Sequence, residues 1–179
     1  MNAATPAGAA ILLNFVSGPE SGGNYNVIYD HHERDPGMVP ITTMQLDELL
    51  SAQIGWGRKW RSGAAGEYQL MQPTLADAMK GMGLSGSEIF TPDLQDRIGY
   101  WLLERRGYAA FKARQLSTVA FAKALAEEWA SLPVLAPTQG AHRWLARGQS
   151  YYEADGLNHA GVTPEAFEAA LSQALAAAT

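Results

Sequence analysis

The sequence predicts a mostly helical α+β domain with one small β-hairpin or sheet near the amino terminus, after the first helix. The 179 residues correspond to one domain and a short appendage, at about 150 residues per domain. Apolar residues make up 47% of the chain and charged residues 17%, a balance that can fill a core. Most apolar positions recur at helical spacing between capping residues, and one short stretch is β-branched and aromatic.

The amino-terminal part combines one helix with the predicted hairpin. Thr5-Pro6 supplies an N-cap and a first-turn proline, and Gly18-Pro19 predicts the end of this first helix. The β-branched and aromatic run 25–29 predicts a strand, and the turn signal at 34–37 leads to a second extended run at 38–41. The small β element should therefore lie between the first helix and the rest of the chain.

A second helix and a basic loop are predicted next. Thr42 and Gln45 have the spacing of a capping box, and Gly55 and Gly57 should interrupt the helix that it opens. The loop after the helix would carry two tryptophans and three basic residues: Trp56, Trp60, Arg58, Lys59 and Arg61.

Helical signals dominate from residue 73 onward. Four helix starts are indicated by proline or by a capping residue: Pro73, Thr91-Pro92, Ser117 and Thr163-Pro164. Each start is followed by apolar residues at helical spacing, as in the last helix with Phe167 and Leu171.

Composition excludes several classes of function. Thirteen Lys and Arg against 18 Asp and Glu give a net charge of -5, so no overall field attracts nucleic acid or anionic lipid. The chain has no cysteine, which excludes disulfides, thiolate metal sites and cysteine nucleophiles. No apolar run approaches the roughly 18 residues of a membrane-spanning helix, and the amino terminus lacks the basic region of a signal peptide. We expect a monomer that binds neither nucleic acid nor membranes stably.

Two carboxyl side chains stand near the predicted hairpin. Glu20 follows the apolar helix directly and precedes a glycine loop, where partial desolvation would raise its pKa and keep it protonated as a general acid. A solvated helix-end glutamate would occupy the same position. Asp30, at the end of the predicted strand, is a second carboxylate, and glycosidases commonly place two such groups about 5 to 9.5 Å apart. Acids in this region could equally solvate a turn.

Two aromatic features are candidates for binding a sugar. The element Gly66-Glu67-Tyr68-Gln69 contains a hydroxyl group and an amide that could bond to a sugar, and its glycine allows the backbone to come close. Tyr68 could equally be a core residue. Trp56 and Trp60, beside basic residues, could stack on pyranose rings, although tryptophans four residues apart are as typical of core packing.

Metal and nucleophile chemistry is poorly supported. His31 and His32 are adjacent, so in an extended chain they point to opposite sides, and zinc usually requires at least three well-placed ligands. No nucleophile elbow, phosphate-binding loop or His-Glu-x-x-His motif is present. We expect no metal or cofactor, and acid-driven sugar chemistry is the best-supported option.

The order of these features along the chain resembles that of one family. Glu20-Ser21-Gly22 after a helix, then Gly66-Glu67-Tyr68-Gln69-Leu70, then the run 90–96 and finally Trp-Ala-Ser-Leu-Pro at 129–133 are similar to the lambda-type phage endolysins of the lysozyme-like superfamily. The resemblance covers roughly residues 8 to 135. One departure is Glu67 inside the Gly-x-Tyr-Gln element, which could place an additional carboxylate near a site that is expected to hold a single acid. The Glu67 side chain could equally point to solvent.

The resemblance implies a lysozyme-like fold and cleavage of the β-1,4 bond between N-acetylmuramic acid and N-acetylglucosamine in peptidoglycan. Glu20 takes the position of the catalytic acid. In a lytic transglycosylase this residue alone would suffice and would give 1,6-anhydro ends, whereas in a hydrolytic lysozyme (muramidase) Asp30 is the best second carboxylate. The remaining candidates are assigned to substrate binding: Ser21, Glu67, Tyr68, Gln69, Trp56 and Trp60.

Domain organisation and location follow from the same resemblance. We expect a catalytic domain over residues 1–135 and a helical extension over residues 136–179 packed on the same domain. The protein would stay in the host cytoplasm until release and act on the wall from the periplasm. Two other functions are carried as alternatives, namely a phage structural or wall-binding protein with this fold but no catalysis, and a chitinase-like glycosidase.

Overall fold

The computed structural model describes residues 1–154, 156 and 158–177, and these are mostly helical. The elements in chain order are α1 (Ala7–Ser21), 3-10 helices at Tyr29–Arg34 and Ile41–Thr43, α2 (Leu46–Trp60), α3 (Gln72–Met82), α4 (Pro92–Arg105), α5 (Tyr108–Lys112), α6 (Thr118–Ala126), β1 (Thr138–Gln139), β2 (Trp144–Leu145) and α7 (Pro164–Ala176). Within the described part of the chain, none of the helices has the length and apolar character needed to cross a bilayer.

Contacts divide the chain into two compact units. The first unit consists of Met1–Ala3 and Glu20–Trp101, and the second of Ala4–Pro19 and the chain from Leu102 onward. Both α1 and α4 therefore begin in one unit and end in the other. The expected boundary at residue 135 stays a prediction, and four residues of the expected extension lie outside the described residues: Asp155, Leu157, Ala178 and Thr179.

The predicted amino-terminal hairpin is wrong. The two-stranded antiparallel sheet lies in the carboxy-terminal half, where Thr138 of β1 is opposite Leu145 of β2. Asp30 and His31 adopt left-handed backbone conformations with φ of 56° and 63°, which turn the chain out of the extended form. Ile28 accordingly forms only an isolated antiparallel bridge, with Ala65, before the 3-10 helix. The β-branched and aromatic residues 25–29 favour an extended chain, but the turn that follows them prevents the predicted pairing of strands.

Two helices continue beyond their predicted ends. α1 passes through Gly18 and Pro19 to Ser21, because a proline removes one helical hydrogen bond without forcing the chain out of the helix at once. α2 passes through Gly55 and Gly57 to Trp60, so the predicted basic loop is part of a helix. Each glycine costs a helix only about 1 kcal/mol, an amount that tertiary packing readily offsets.

The start of α2 differs from the predicted one as well. The helix begins at Leu46, and its capping side chain is that of Glu48, whose carboxylate accepts the backbone N–H of Gln45 at 3.0 Å. Leu46, Leu49 and Gln53 are buried along one face of the helix. This buried face anchors the amino-terminal half of α2 in the first unit.

The helix starts predicted after residue 73 are confirmed. α3 and α4 begin at or next to their predicted prolines. The side chains of Ser117 and Thr163 accept backbone N–H groups three residues on, at 3.2 Å in both cases, and so cap α6 and α7. The short helix α5 is additional and follows Gly107, which has a φ of +99°.

Aromatic side chains fill the core of the second unit. Phe15 of α1 stacks on Phe167 of α7 at 5.7 Å between ring centroids, and Phe111 stacks on Phe121 at 4.5 Å. The backbone of α1 also approaches α7 closely, since a Cβ atom on Gly8 would overlap the carbonyl oxygen of Ala174. A glycine at position 8 therefore permits this helix contact.

Two helical glycines should respond oppositely to the same substitution. A Cβ atom on Gly8 would meet Ala174 and would also lie 2.6 Å from the Tyr108 hydroxyl, so Gly8→Ala should lower the free energy of unfolding by about 2 kcal/mol. At Gly55 of α2 no other part of the described chain lies within 4 Å of the corresponding position, so Gly55→Ala should raise it by up to about 1 kcal/mol. Urea denaturation measures both changes, and equal effects at the two positions would contradict the close helix contact.

Candidate functional site

Glu20 lies in the last turn of α1, where its side chain is half-buried. The helix ends one residue later at Ser21, whose hydroxyl accepts the backbone N–H of Gly23 at 3.2 Å. Gly22 and Gly23 have φ values of 64° and 84°, so the chain leaves the helix in a sharp glycine turn. The carboxyl group of Glu20 thus stands at the junction that the sequence predicts, between an apolar helix and a turn.

The Gly66-Glu67-Tyr68-Gln69 element forms a tight loop. Ala65 and Leu70 close it with two reciprocal backbone hydrogen bonds of 2.8 and 3.1 Å. Its glycine donates a backbone N–H to the carbonyl of Val27 at 2.7 Å. The Gln69 amide donates to the carbonyls of Gly66 at 3.0 Å and Val27 at 3.3 Å. The loop is thereby attached to the segment that follows the glycine turn of Glu20.

Gln95 of α4 is the second attachment of this loop, and it is fully buried. Its side-chain oxygen accepts the backbone N–H of Glu67 at 2.8 Å, while its amide donates to the carbonyls of Tyr25 and Phe90, both at 3.1 Å. A Cβ atom on Gly66, which has a φ of +82°, would overlap this side chain. One glutamine side chain therefore joins three separate segments of the first unit.

Asp96 lies beside Gln95 and is 1% exposed. Its Oδ1 atom accepts the hydroxyl groups of Tyr68 at 2.8 Å and Tyr25 at 2.9 Å, and its Oδ2 atom lies 3.3 Å from the amino nitrogen of Met1. Burial raises the pKa of both phenols well above the ordinary value, and the bond to Asp96 and its charge raise it further. Both tyrosines remain neutral hydrogen-bond donors at physiological pH.

Glu67 is buried rather than directed to solvent, with an exposure of 5%. Its negative charge contributes to the raised pKa values of Tyr25 and Tyr68. The first unit thus holds two buried acidic side chains, Glu67 and Asp96, close to the same pair of phenols. The alternative of a solvent-facing Glu67 is excluded.

Asp30 does not lie at the end of a strand. It is exposed and begins the left-handed turn inside the 3-10 helix 29–34. The better-buried carboxylate of this segment is that of Glu33, which accepts the backbone N–H of Ile28 at 3.0 Å and lies 3.2 Å from Nδ1 of His31. Burial acts to raise the pKa of Glu33, but these hydrogen bonds outweigh it and hold the pKa below the ordinary value.

Trp56 and Trp60 lie at the end of α2 and stack on each other, with ring centroids 6.1 Å apart. His32 stacks on Trp60 at 3.8 Å, and its Nδ1 atom lies 3.0 Å from the Asp35 carboxylate. Lys59 places its ammonium group 4.8 Å from the Trp60 ring centroid. Trp60 is thus in contact with an imidazole, a second indole and an ammonium group, and both tryptophans remain partly exposed.

Sequence reasoning missed Gln95, Asp96, Tyr25 and His32 as parts of this arrangement. Gln95 and Asp96 belong to the run 90–96 that contributes to the family resemblance, but neither has a recognisable chemical motif around it. Across residues 1–154, 156 and 158–177, no three His, Asp or Glu side chains converge as ligands of a metal ion would. The first unit therefore combines the half-buried carboxyl group of Glu20, at the end of α1, with a buried network of hydrogen bonds between α4 and the loop 66–69.

Replacement of Asp96 tests the importance of the buried carboxylate. Asp96→Asn removes the charge that strengthens both tyrosine hydrogen bonds and introduces donor N–H groups, so it should lower the free energy of unfolding by about 2 kcal/mol. Asp93→Asn is the control on the same helix: the Asp93 carboxylate is exposed, accepts the side-chain amide of Asn2 and lies in the first turn, so its replacement should change stability by less than about 1 kcal/mol. Chemical denaturation of both variants decides the matter, and equal stabilities would argue against a structural role for the Asp96 charge.

Comparison with known proteins gives one match. A family model described as Endolysin matches residues 23–158, which is more than half of the chain. No curated protein and no solved structure matches. The matched segment contains Asp30, the aromatic pair of α2 and the loop 66–69, and it begins three residues after Glu20. On this match, the chain belongs to the Endolysin family.

Proposed function

We propose that this endolysin cleaves the β-1,4 bond between N-acetylmuramic acid and N-acetylglucosamine, with Glu20 as the general acid. The observation that carries the proposal is the half-buried carboxyl group in the last turn of α1. The family assignment supports peptidoglycan as the substrate. A lysozyme-like fold, and action on the wall from the periplasm after release from the host cytoplasm, belong to the same proposal.

The proposed reaction uses one carboxyl group twice. Glu20 first donates its proton to the bridging oxygen, so the bond to the anomeric carbon of muramic acid breaks and an oxocarbenium-like centre develops. The C6 hydroxyl of the same sugar then attacks the anomeric carbon while the Glu20 carboxylate accepts its proton. A 1,6-anhydro ring closes, no water is consumed, and Glu20 returns to its protonated form.

The buried network supports this reaction through rigidity. Gln95 and Asp96 hold the loop 66–69 with hydrogen bonds that are themselves buried, so the loop is ordered before substrate arrives. Ser21, Glu67 and Tyr68 are buried, so they shape the turn and the loop from within. We infer that Gln69, which is half-buried, is the member of this group that contacts the glycan. We infer that Trp56 and Trp60, both of which are partly exposed, offer the aromatic surface on which a pyranose ring stacks.

The two-carboxylate alternative would assign Asp30 to the activation of water. In a glycosidase that activates water in this way, the two carboxyl groups are about 6.5 to 9.5 Å apart. Asp30 is exposed on a left-handed turn of the 3-10 helix. We propose the single-acid reaction first, because it needs no carboxyl group besides that of Glu20.

Substitution of Glu20 tests the central assignment. Glu20→Gln preserves shape but cannot donate the proton, so release of soluble fragments from purified sacculi should fall by at least about 100-fold, the lower end of the range for a general acid. The circular dichroism spectrum should not change. Glu165→Gln is a control in the second unit and should retain full activity, because the Glu165 side chain is 73% exposed and its partner Arg147 keeps an ion pair with Glu168.

Two results would contradict the Glu20 assignment in different ways. Full activity of Glu20→Gln would place the acid elsewhere. Wild-type protein that binds sacculi and releases no fragments would favour the non-catalytic wall-binding alternative, and turnover of chitin oligomers with no release from sacculi would favour the chitinase-like one.

Product analysis separates the single-acid from the two-carboxylate reaction. Mass spectrometry of released muropeptides should show anhydro ends, which are lighter than hydrated ends by one water molecule. Asp30→Asn should yield the same products at a similar rate, because Asp30 takes no part in the single-acid reaction. Hydrated ends from the wild type, together with loss of activity in Asp30→Asn, would reassign Asp30 as the second catalytic carboxylate.

A further inference from the structure

The second unit carries a strongly exposed tryptophan that the proposed reaction does not use. Trp144 is 66% exposed, and it lies on β2 opposite Gln139 of β1. The next residue, Leu145, is fully buried. Because neighbouring residues of a strand face opposite sides, burial of Leu145 keeps the indole directed outward.

The hairpin that bears Trp144, residues 138–145, is firmly held. Gly140 donates its backbone N–H to the carbonyl of Arg143 at 2.9 Å, and the N–H of Ala141 reaches the carbonyl of Tyr151 at 3.0 Å. A Cβ atom on Gly140 would overlap the Leu145 side chain, so the turn packs against its own second strand. An aromatic side chain on such a rigid support loses little conformational entropy when it binds a partner.

The chain around Trp144 carries two cations, and the charge of one of them is weakly compensated. Arg147 is engaged by Glu165 at 3.0 Å and by Glu168 at 2.9 Å. Arg143, by contrast, has a half-exposed side chain whose ion pair with Glu153 is 3.9 Å long. In a chain with a net charge of -5, the hairpin that bears the exposed indole therefore also carries a positive charge.

The chemistry of this surface suits a carbohydrate that carries carboxylates. An indole face packs on the C–H groups of a pyranose ring, an amide such as that of Gln139 can bond to sugar hydroxyls, and a guanidinium pairs with a carboxylate. Insertion into a bilayer would call for a contiguous apolar patch. Apart from the indole and Ala141, the exposed residues of the hairpin are instead polar: Gln139, His142 and Arg143.

We propose that the hairpin 138–145 is a second peptidoglycan-binding site, in which Trp144 stacks on a sugar of the glycan strand and Arg143 pairs with a carboxylate of the wall. The inference rests on the proposed function, because it takes peptidoglycan as the substrate. The hairpin belongs to the second unit, whereas the proposed catalytic residues belong to the first. Such a site retains the enzyme on the insoluble wall between one cleavage and the next.

Binding to purified sacculi tests the proposal without interference from cleavage when it is measured in the full-length Glu20→Gln background. Addition of Trp144→Ala should weaken binding about tenfold, as expected for loss of an exposed aromatic anchor. Trp144→Tyr should retain most of the affinity, since it keeps an aromatic face. Arg143→Ala should weaken binding and reduce its dependence on salt concentration. Val119→Ala, which removes another exposed apolar side chain of the second unit, should bind like the parent.

Several outcomes would overturn the proposal. Equal affinity of the parent and the Trp144→Ala variant would do so, as would a folded Trp144→Tyr variant that binds as weakly as Trp144→Ala. Binding to vesicles of phosphatidylglycerol that depends on Trp144, with no effect of the substitution on sacculi, would assign the hairpin to membranes instead. Lytic activity remaining in Glu20→Gln would overturn the catalytic assignment and leave the hairpin result intact, so the two failures can be told apart.

Discussion

The arrangement of the first unit depends on a charged carboxylate kept away from water. Asp96 is almost completely buried, and such a group is tolerated only where hydrogen bonds replace its hydration. The hydroxyl groups of Tyr25 and Tyr68 supply two of these bonds to a single oxygen atom. The requirement to satisfy one carboxylate thus brings together a helix, the segment after the glycine turn and the loop 66–69. Removal of any one partner leaves a buried charge poorly compensated.

Gln95 extends the same constraint to the backbone. Its amide and carbonyl groups satisfy a carbonyl at Tyr25, a carbonyl at Phe90 and an N–H at Glu67, none of which belongs to regular secondary structure. Small loops lack the repeating hydrogen bonds of helices and sheets, so their polar groups need individual partners. Because Gly66 leaves space for this glutamine, the loop can close tightly over it. A rigid loop next to a proposed catalytic acid limits the reorganisation that substrate binding would otherwise require.

The aromatic side chains of the protein divide into packed and exposed groups, and the division bears on function. His32 and Trp56 both stack on Trp60, and the contact of His32 joins the 3-10 helix to the end of α2. Trp144, in contrast, projects from a hairpin whose other apolar strand residue, Leu145, is fully buried. An exposed indole on a firmly held hairpin offers a large flat area to a binding partner. An enzyme that acts on an insoluble polymer benefits from binding that is separate from its catalytic residues.

The sequence by itself determined the predominance of helix, the starts of the later helices and the position of Glu20 at the end of the first one. These features depend on local chemistry, namely capping by Ser117 and Thr163, prolines in first turns and apolar periodicity. The resemblance to endolysins was likewise readable from short motifs in order, and the Endolysin match confirms that the chain is an endolysin.

The tertiary structure decided the rest, including the loss of the predicted hairpin, the continuation of α2 to Trp60 and the burial of Glu67. Each of these outcomes depends on contacts between residues far apart in the chain. A strand needs a partner strand, and the left-handed turn at Asp30 and His31 removes the one expected here. The glycines of α2 weaken the helix only slightly, so packing decides where it ends.

Burial of a carboxylate depends on which donors the fold brings to it, as the tyrosines reach Asp96 from positions 71 and 28 residues away. Helix propensities differ by about 1 kcal/mol or less between ordinary residues, whereas a buried charge that loses its hydrogen-bond partners lowers stability by several kcal/mol. The hydrogen bonding of the buried charge therefore outweighs local preferences.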